Sequence, residues 1–411
     1  MKITRALWAQ HIGRMTKRHW WVQGKRIIRD TSAEACLVEK GVQVVDAKEV
    51  AKPPRQQHEC IAFPTTLYSV PQAMDHTHPD WNERPCLKYG NNSLLLDGTD
   101  QAQVLIKTEL FSDKLPERLE ALEEEQSPEI EELIQRLIRS SHIFDAHQEK
   151  LPKKKDPLKP QWVFPRIYGI PDSRKVHNLT QKLLQLCDLQ CGPAIAQQRK
   201  LIHGGQVRTY IEKGNDLLYF ESVFDTMITS NKLLTPMSAD KDFSTPLPDL
   251  GPLDSTISLQ PQQIYNLRDQ YPVATESPWM NVHTIFMHFD GEKVRNLTEL
   301  PITDSQIRAR SMLQSFSTAV CCAKKKFGEE TMNLPEPVTV QCVQTDGKWF
   351  YFSVLQLNTI DIDGSEGVRN IFWISPKIEL FERAEYVQGV PVLEKYNPEV
   401  FRKILAFYRN V

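Results

Sequence analysis

Four sets of residues in this 411-residue chain are of types that do chemistry. His58, Cys60, His76, His78 and Cys86 are zinc-ligand types, but their spacings fit no finger or ribbon, so no metal site is expected. Cys187 and Cys191 sit one helical turn apart without two further ligands, which reads as core packing. Asp361, Asp363, Gly364 and Glu366 follow part of a calcium-loop pattern. A strand precedes them and flanking helices are missing, so an Asp-stabilised turn is expected. The fourth set is basic: Lys153, Lys154 and Lys155, then Arg308, Arg310, Lys324, Lys325 and Lys326. Such clusters neutralise RNA phosphates, and their plainer reading is a solvated face.

Familiar catalytic spacings are missing. His203-Gly204-Gly205 is a turn and not a phosphate loop, and no H-E-x-x-H, G-x-S-x-G or paired C-x-x-C occurs. An enzyme would need converging titratable groups, such as His283 and His288 near Asp346. The two histidines are five residues apart and fall on opposite faces of a strand. No cofactor is expected.

The elements around these residues mix types. A helix is predicted from Thr99 or Asp100 through Leu110, another from Pro116 to Glu125, and a third from Ser127-Pro128 to about Phe144 with Ile130, Leu133, Ile134, Leu137 and Ile138 inward. Ser173–Cys187 is helical, with Val176, Leu179, Leu183, Leu184 and Cys187 on one side. Gln206–Glu212 and Leu217–Phe224 form a hairpin about Gly214-Asn215. His283–Phe289 is a strand, and Asp304–Phe327 is a long helix stopped by Gly328. Val338–Val343 and Trp349–Leu357 pair across Asp346-Gly347, Ile371–Ile374 is a strand, and Asn397-Pro398 opens a last helix. Val42–Val45 is a candidate short strand. The acidic stretch at Glu123, Glu124, Glu125, Glu129, Glu131 and Glu132 should face solvent or a basic protein.

The fold class is therefore α+β, with mixed helices and antiparallel hairpins, an extended basic N-terminus and proline-rich connections. Hydrophobic residues make up 40%, ample for real cores, and no apolar run is long enough to span a membrane. Five regions are expected: 1–30, a transit peptide or basic arm; 31–93, extended and irregular; 94–230, helices plus a hairpin; 231–281, a proline-rich connection; and 282–411, a C-terminal α+β domain.

Charge is unevenly placed. Residues 1–29 hold eight Lys/Arg and no acid, while the remainder has 42 bases against 52 acids, a net of −10. A basic, amphipathic, acid-free start is the signature of mitochondrial import. Bases beside Trp20 and Trp21 also suit single-stranded RNA. A body this acidic is a poor phosphate binder as a whole, so any RNA contact should be local. Eight scattered cysteines do not form a disulfide framework.

The run Val338 to Lys348, with Gln356-Leu357-Asn358-Thr359 and Glu366-Gly367-Val368-Arg369-Asn370, resembles the C-terminal domain of the mitochondrial large ribosomal subunit protein thirty-seven family. The same domain occurs in the sister programmed-cell-death-protein-nine-like mitochondrial ribosomal protein. Phe401-Arg402-Lys403, Asp97-Gly98, Lys107-Thr108 and Leu115-Pro116-Glu117-Arg118 extend the likeness to the first family. The resemblance implies a structural, non-enzymatic constituent of the mitochondrial large subunit, touching large-subunit rRNA, other large-subunit proteins and the sister protein. The rival expectation is a soluble matrix enzyme or an assembly factor.

Overall fold

The computed structural model describes residues 15–23, 32–51, 73, 75–79, 81, 85–153, 158–159, 161–240, 243, 245–263, 267–296 and 300–411. The chain divides into one unit at Met1–Pro71 and another at Gln72–Val411. In the first, short helices cover 15–23 (α1), Ala33–Glu39 (α2) and Ala47–Ala51 (α3). Ser32 caps α2 by accepting the Ala35 N–H, and neither α2 nor α3 buries a residue. Residues 42–46 are irregular, so the expected strand at Val42–Val45 does not form. The start of the chain, with His58 and Cys60, lies outside the described residues.

The second unit begins with Cys86–Tyr89 (β1), Thr99–Leu105 (α4), Thr108–Ser112 (β2), Glu117–Glu120 (α5) and Pro128–His142 (α6). Glu149–Lys150 (β3) and Tyr168–Gly169 (β4) precede the long helix Asp172–Cys191 (α7) and Pro193–Ala196 (α8). Arg199–Lys213 (β5) and Asp216–Ser230 (β6) form the expected hairpin, longer than its alternating core. Gln260–Gln262 (β7), Asn281–His288 (β8) and Asp304–Phe327 (α9) follow. Then come Asn333–Thr345 (β9), Trp349–Thr359 (β10), Asn370–Ile374 (β11), Ile378–Glu379 (β12), Arg383–Val387 (β13), Val390–Glu394 (β14) and Glu399–Arg409 (α10).

Ten of these strands make one mixed sheet, running β2-β11-β10-β9-β8-β6-β1-β7, with β5 beside β6 and β12 beside β10. Three joins are parallel: β1 with β6, β2 with β11, and β8 with β9. Strands from regions 94–230 and 282–411 are thus neighbours in one sheet. Described residues of the 231–281 segment are anchored to the sheet and its helices: Leu234, Leu259, Tyr271, Val273 and Met280 are buried, and the Met237 and Ser238 N–H groups donate to Gln356 Oε1.

Helices cover both faces, so central strands are buried on both sides. On β9, Val338, Val340 and Cys342 join the cluster under α9, while Val343 joins the cluster under α6, α7 and α10. The α10 residues Val400, Ile404, Leu405 and Tyr408 and the predicted α7 stripe are all buried. In α6, Ile134 and Ile138 are buried whereas Leu133 is exposed.

Some boundaries differ from expectation for local reasons. The helix from Thr99 ends at Leu105 because Lys107 adopts a positive φ of 47° and the chain turns into β2, which pairs with β11. Its start is fixed by Gly98, at φ 63°, where a Cβ would fall 2.2 Å from Ser305 Oγ on α9. The Pro116–Glu125 helix is only α5, since the glutamates after it turn toward α10.

Helix α9 matches its predicted span and is buried around most of its circumference rather than on one face. It packs on β5, β6, β8, β9 and β10, and α4 covers it from outside. Its first turn is a reciprocal capping box, in which Thr303 Oγ1 accepts the Gln306 N–H at 3.3 Å and Gln306 Oε1 accepts the Thr303 N–H at 3.1 Å. Thr303→Ala should cost about 1 kcal/mol, read as a lower urea midpoint with an unchanged m-value.

Candidate interaction surfaces

The described basic candidates differ in their surroundings. Arg310 is 1% exposed, donating to Gln344 Oε1 at 3.0 Å and to the Asn91 carbonyl at 3.2 Å, with Phe289 6.0 Å away. Burial pulls its guanidinium down from its ordinary value, and it meets no carboxylate in an ion pair among the described residues. Lys324 is also buried; it donates to the Tyr210 carbonyl at 2.6 Å, lies 4.3 Å over that ring and pairs with buried Asp269 at 3.2 Å. Arg308 holds Asp304 at 2.6 Å and Asp113 at 3.0 Å. These three side chains tie α9 to its neighbours. Helical spacing alone put them beside solvent-directed lysines, and only the outer cover of β5 and α4 reveals the difference. Lys325 is half-buried, Lys326 forms an ion pair of 3.6 Å with Glu336, and Lys153 is exposed. Lys154 and Lys155 lie outside the described residues.

Glu124 and Glu125 in the acidic run are exposed, as expected, and the run also meets basic side chains of this chain. Glu123 pairs with Lys403 at 2.7 Å, Glu124 with Arg409 at 2.5 Å and Glu125 with Arg402 at 3.8 Å. The run's basic partner is the chain's own last helix. Glu129 and Glu132 do remain exposed on α6.

Other chemistry-bearing residues resolve into structure. Cys187 is buried, which pushes its thiol well up, and Cys191 is half-buried beside Arg409. Asp361 Oδ1 accepts the Asp363 N–H, while Asp363 accepts the Gly214 N–H through Oδ1 and the Lys107 Nζ through its carbonyl. The turn therefore pins two other segments. Cys86 is buried in β1, and among the described residues no group of three His, Cys, Asp or Glu is placed to hold a metal.

A cleft of about 420 Å³ is lined by His142, Asp172, Lys175, His288, Asp290 and Asp346 among others. It joins His288 and Asp346, but His283 points away into the core. Its carboxylates serve local structure: Asp172 pairs with Lys175 at 2.8 Å, Asp290 with Lys293 at 3.1 Å, and Asp346 Oδ1 accepts the N–H groups of Lys348 and Trp349. Burial lowers both imidazoles, His142 to about 4, so neither is cationic at neutral pH.

The residues behind the family resemblance hold the sheet to its helices. Gln341 and Gln344, three apart on β9, point to opposite faces, one to the end of α10 and the other to Arg310 and the Ile307 carbonyl of α9. Asn370 Oδ1 accepts the N–H groups of Asn358 and Thr359. Arg369 is 4% exposed and pairs with Glu109 at 3.0 Å. Sequence analysis missed the β13–β14 hairpin; its signal was Gln388-Gly389, both at positive φ, between alternating residues.

A family model described as mitochondrial 28S ribosomal protein S30 (PDCD9) matches residues 292–411. Large ribosomal subunit protein mL37 of Rattus norvegicus is 28% identical over 355 residues, covering 81% of this chain and 77% of the relative. The protein of the same name in Bos taurus is 27% identical over 350 residues, covering 80% and 76%. That of Gallus gallus is 26% identical over 343 residues, covering 79% and 74%. These matches make the chain similar to mitochondrial ribosomal proteins. The two descriptions name different subunits; the family model reaches only the C-terminal part, and the longer alignments are to large-subunit proteins. Within that likeness, the similarity that runs over about four-fifths of the chain is to the mL37 proteins.

Proposed function

We propose that this chain is a structural constituent of the mitochondrial large ribosomal subunit, supporting mitochondrial translation by binding rather than by catalysis. The observation that carries the reading is the alignment of about four-fifths of the chain with relatives named for that subunit. Its partners are large-subunit rRNA and neighbouring large-subunit proteins, the sister programmed-cell-death-protein-nine-like protein among them. Residues 1–30 direct import into the mitochondrion. Among the described residues no helix is long and apolar enough to cross a membrane.

Within the basic set, Lys153, Lys325 and Lys326 are the described candidates for rRNA phosphate, together with Lys154 and Lys155. Exchange of Lys324 for Glu is no test of RNA contact, because it would set a second carboxylate against buried Asp269.

The test is sedimentation of the tagged protein from purified mitochondria, with and without low magnesium to dissociate the subunits. Comigration with the large subunit in both gradients is expected. A signal confined to the light fractions would sink the proposal.

A further inference from the structure

Between α6 and α7 the described residues form a small ribbon of their own, here called the arm. Strands β3 and β4 pair only with each other, in a two-stranded sheet separate from the large one. The Leu151 N–H donates to the Ile167 carbonyl at 2.9 Å, and Arg166 Nε donates to the Leu151 carbonyl at 2.9 Å, closing the base. A ribbon this small is marginal by itself. It nevertheless carries Trp162 at 59% exposure, Val163 at 80%, Ile167 at 50% and Tyr168 at 67%. A soluble chain rarely gathers so much exposed apolar side chain in one short segment unless a partner covers it.

Charge identifies the partner. Residues 149–169 contain six bases, Lys150, Lys153, Lys154, Lys155, Lys159 and Arg166, against two acids, Glu149 and Asp156. The whole chain is −2, so the arm is +4 on a remainder of −6. Bases and aromatics also interleave. Lys159 Nζ sits 4.4 Å over the Trp162 ring, and Phe164 lies 6.3 Å from it in a tilted arrangement. Solvent-exposed rings beside cations suit stacked bases and the phosphates joining them. A duplex hides its base faces and offers the rings nothing to stack on.

Resting on the ribosomal reading above, we infer that this arm binds unpaired RNA, with Trp162 and Tyr168 stacking on bases and Lys153 and Lys159 meeting phosphates.

The experiment is fluorescence anisotropy of the full chain with a labelled, unstructured RNA of about twelve nucleotides, a length within known single-strand site sizes. A duplex of equal length is the comparison. Wild type should prefer the single strand. The pair Trp162→Ala and Tyr168→Ala should weaken it by at least about tenfold while leaving the salt dependence unchanged, since stacking contributes about 1–3 kcal/mol per base and no charge is removed. Lys153→Glu with Lys159→Glu should flatten the salt dependence. The substituted rings are exposed, so an unchanged thermal melt controls for folding. Equal affinity for duplex and single strand, or undiminished binding by the alanine pair, would overturn the inference. Alanine variants that keep RNA affinity but leave the large subunit in gradients would make the arm a protein contact and overturn it as well. Should the wild type fail to comigrate with the subunit, the ribosomal reading fails, and the RNA inference is then decided by the anisotropy alone.

Discussion

Gln341→Leu should destabilise the protein by about 4 kcal/mol, a large part of the roughly 5–15 kcal/mol that holds most domains folded. Gln341 is fully buried on β9. Its Nε2 donates to Thr284 Oγ1 at 2.7 Å and to the Phe407 carbonyl at 2.9 Å, and its Oε1 accepts Asn410 Nδ2 at 2.9 Å. Phe407 lies in the last turn of α10, where carbonyls have no partner within the helix. The network continues from there. The Thr284 hydroxyl lies 2.7 Å from His283 Nδ1, and His283 Nε2 lies 2.9 Å from the Asn410 carbonyl, which also accepts from Arg199 at 2.7 Å. Leucine fills the space but orphans a donor and an acceptor among these groups, and each buried orphan costs about 1–3 kcal/mol. Urea unfolding at neutral pH measures the loss. Because Gln341 and Asn410 share a bond, Gln341→Leu combined with Asn410→Ala should cost less than the sum of the two. A loss under about 1 kcal/mol for Gln341→Leu would mean that water satisfies these groups.

This network also shows what the sequence could and could not reveal. The hairpin strands around Gln341 were legible, because Val338, Val340 and Val343 are β-branched and Asp346-Gly347 is a turn. The span of α9 was legible from its 3.6-residue pattern and Gly328. The use of Gln341 and Gln344 was not, since a polar residue in a strand pattern reads as facing solvent. Here each finds its partners on a helix more than thirty positions away. The same long-range dependence misplaced Arg310 and Lys324, whose partners Asn91, Tyr210 and Asp269 are distant in sequence. It hid the role of Glu123–Glu125, whose counter-charges lie about 280 residues on. Local pattern fixes where a strand or helix runs, while the cover over its outer face decides which of its charges meet water. The arm illustrates the reverse case. Its lysines were visible as a cluster, but Trp162 and Tyr168 had no periodicity to mark them, and only their exposure joins them to that cluster.

Acid should unfold this protein earlier than its carboxylates alone would dictate. His283 is fully buried, and desolvation, with Arg199 nearby, pulls its imidazole down to about 3. Its bonds fit the neutral ring, with Nε2–H donated to the Asn410 carbonyl and Nδ1 accepting from Thr284. His142 is pulled down to about 4 by burial, and its Nε2 has no hydrogen-bond partner among the described residues. His288 is lowered in the same direction, also by burial. In the unfolded chain each ring protonates near pH 6.5. Below that pH the unfolded state therefore binds more protons than the folded state, and stability falls as pH falls. The loss continues to about pH 4 for His142 and pH 3 for His283. At pH 5 the His283 contribution alone is about 2 kcal/mol, from 1.4 kcal/mol per pH unit. The salt-bridged carboxylates act in a lower window. Asp145, held down to about 2 chiefly by its hydrogen bond from Arg174, loses its contribution only below about pH 4. Thermal melts at pH 7.5 and pH 5 should differ by several degrees, with His283→Gln reducing the slope because glutamine does not titrate. Equal melting temperatures at the two pH values would mean that the rings take up protons in place, and that the core around Asn410 is wetter than its geometry indicates.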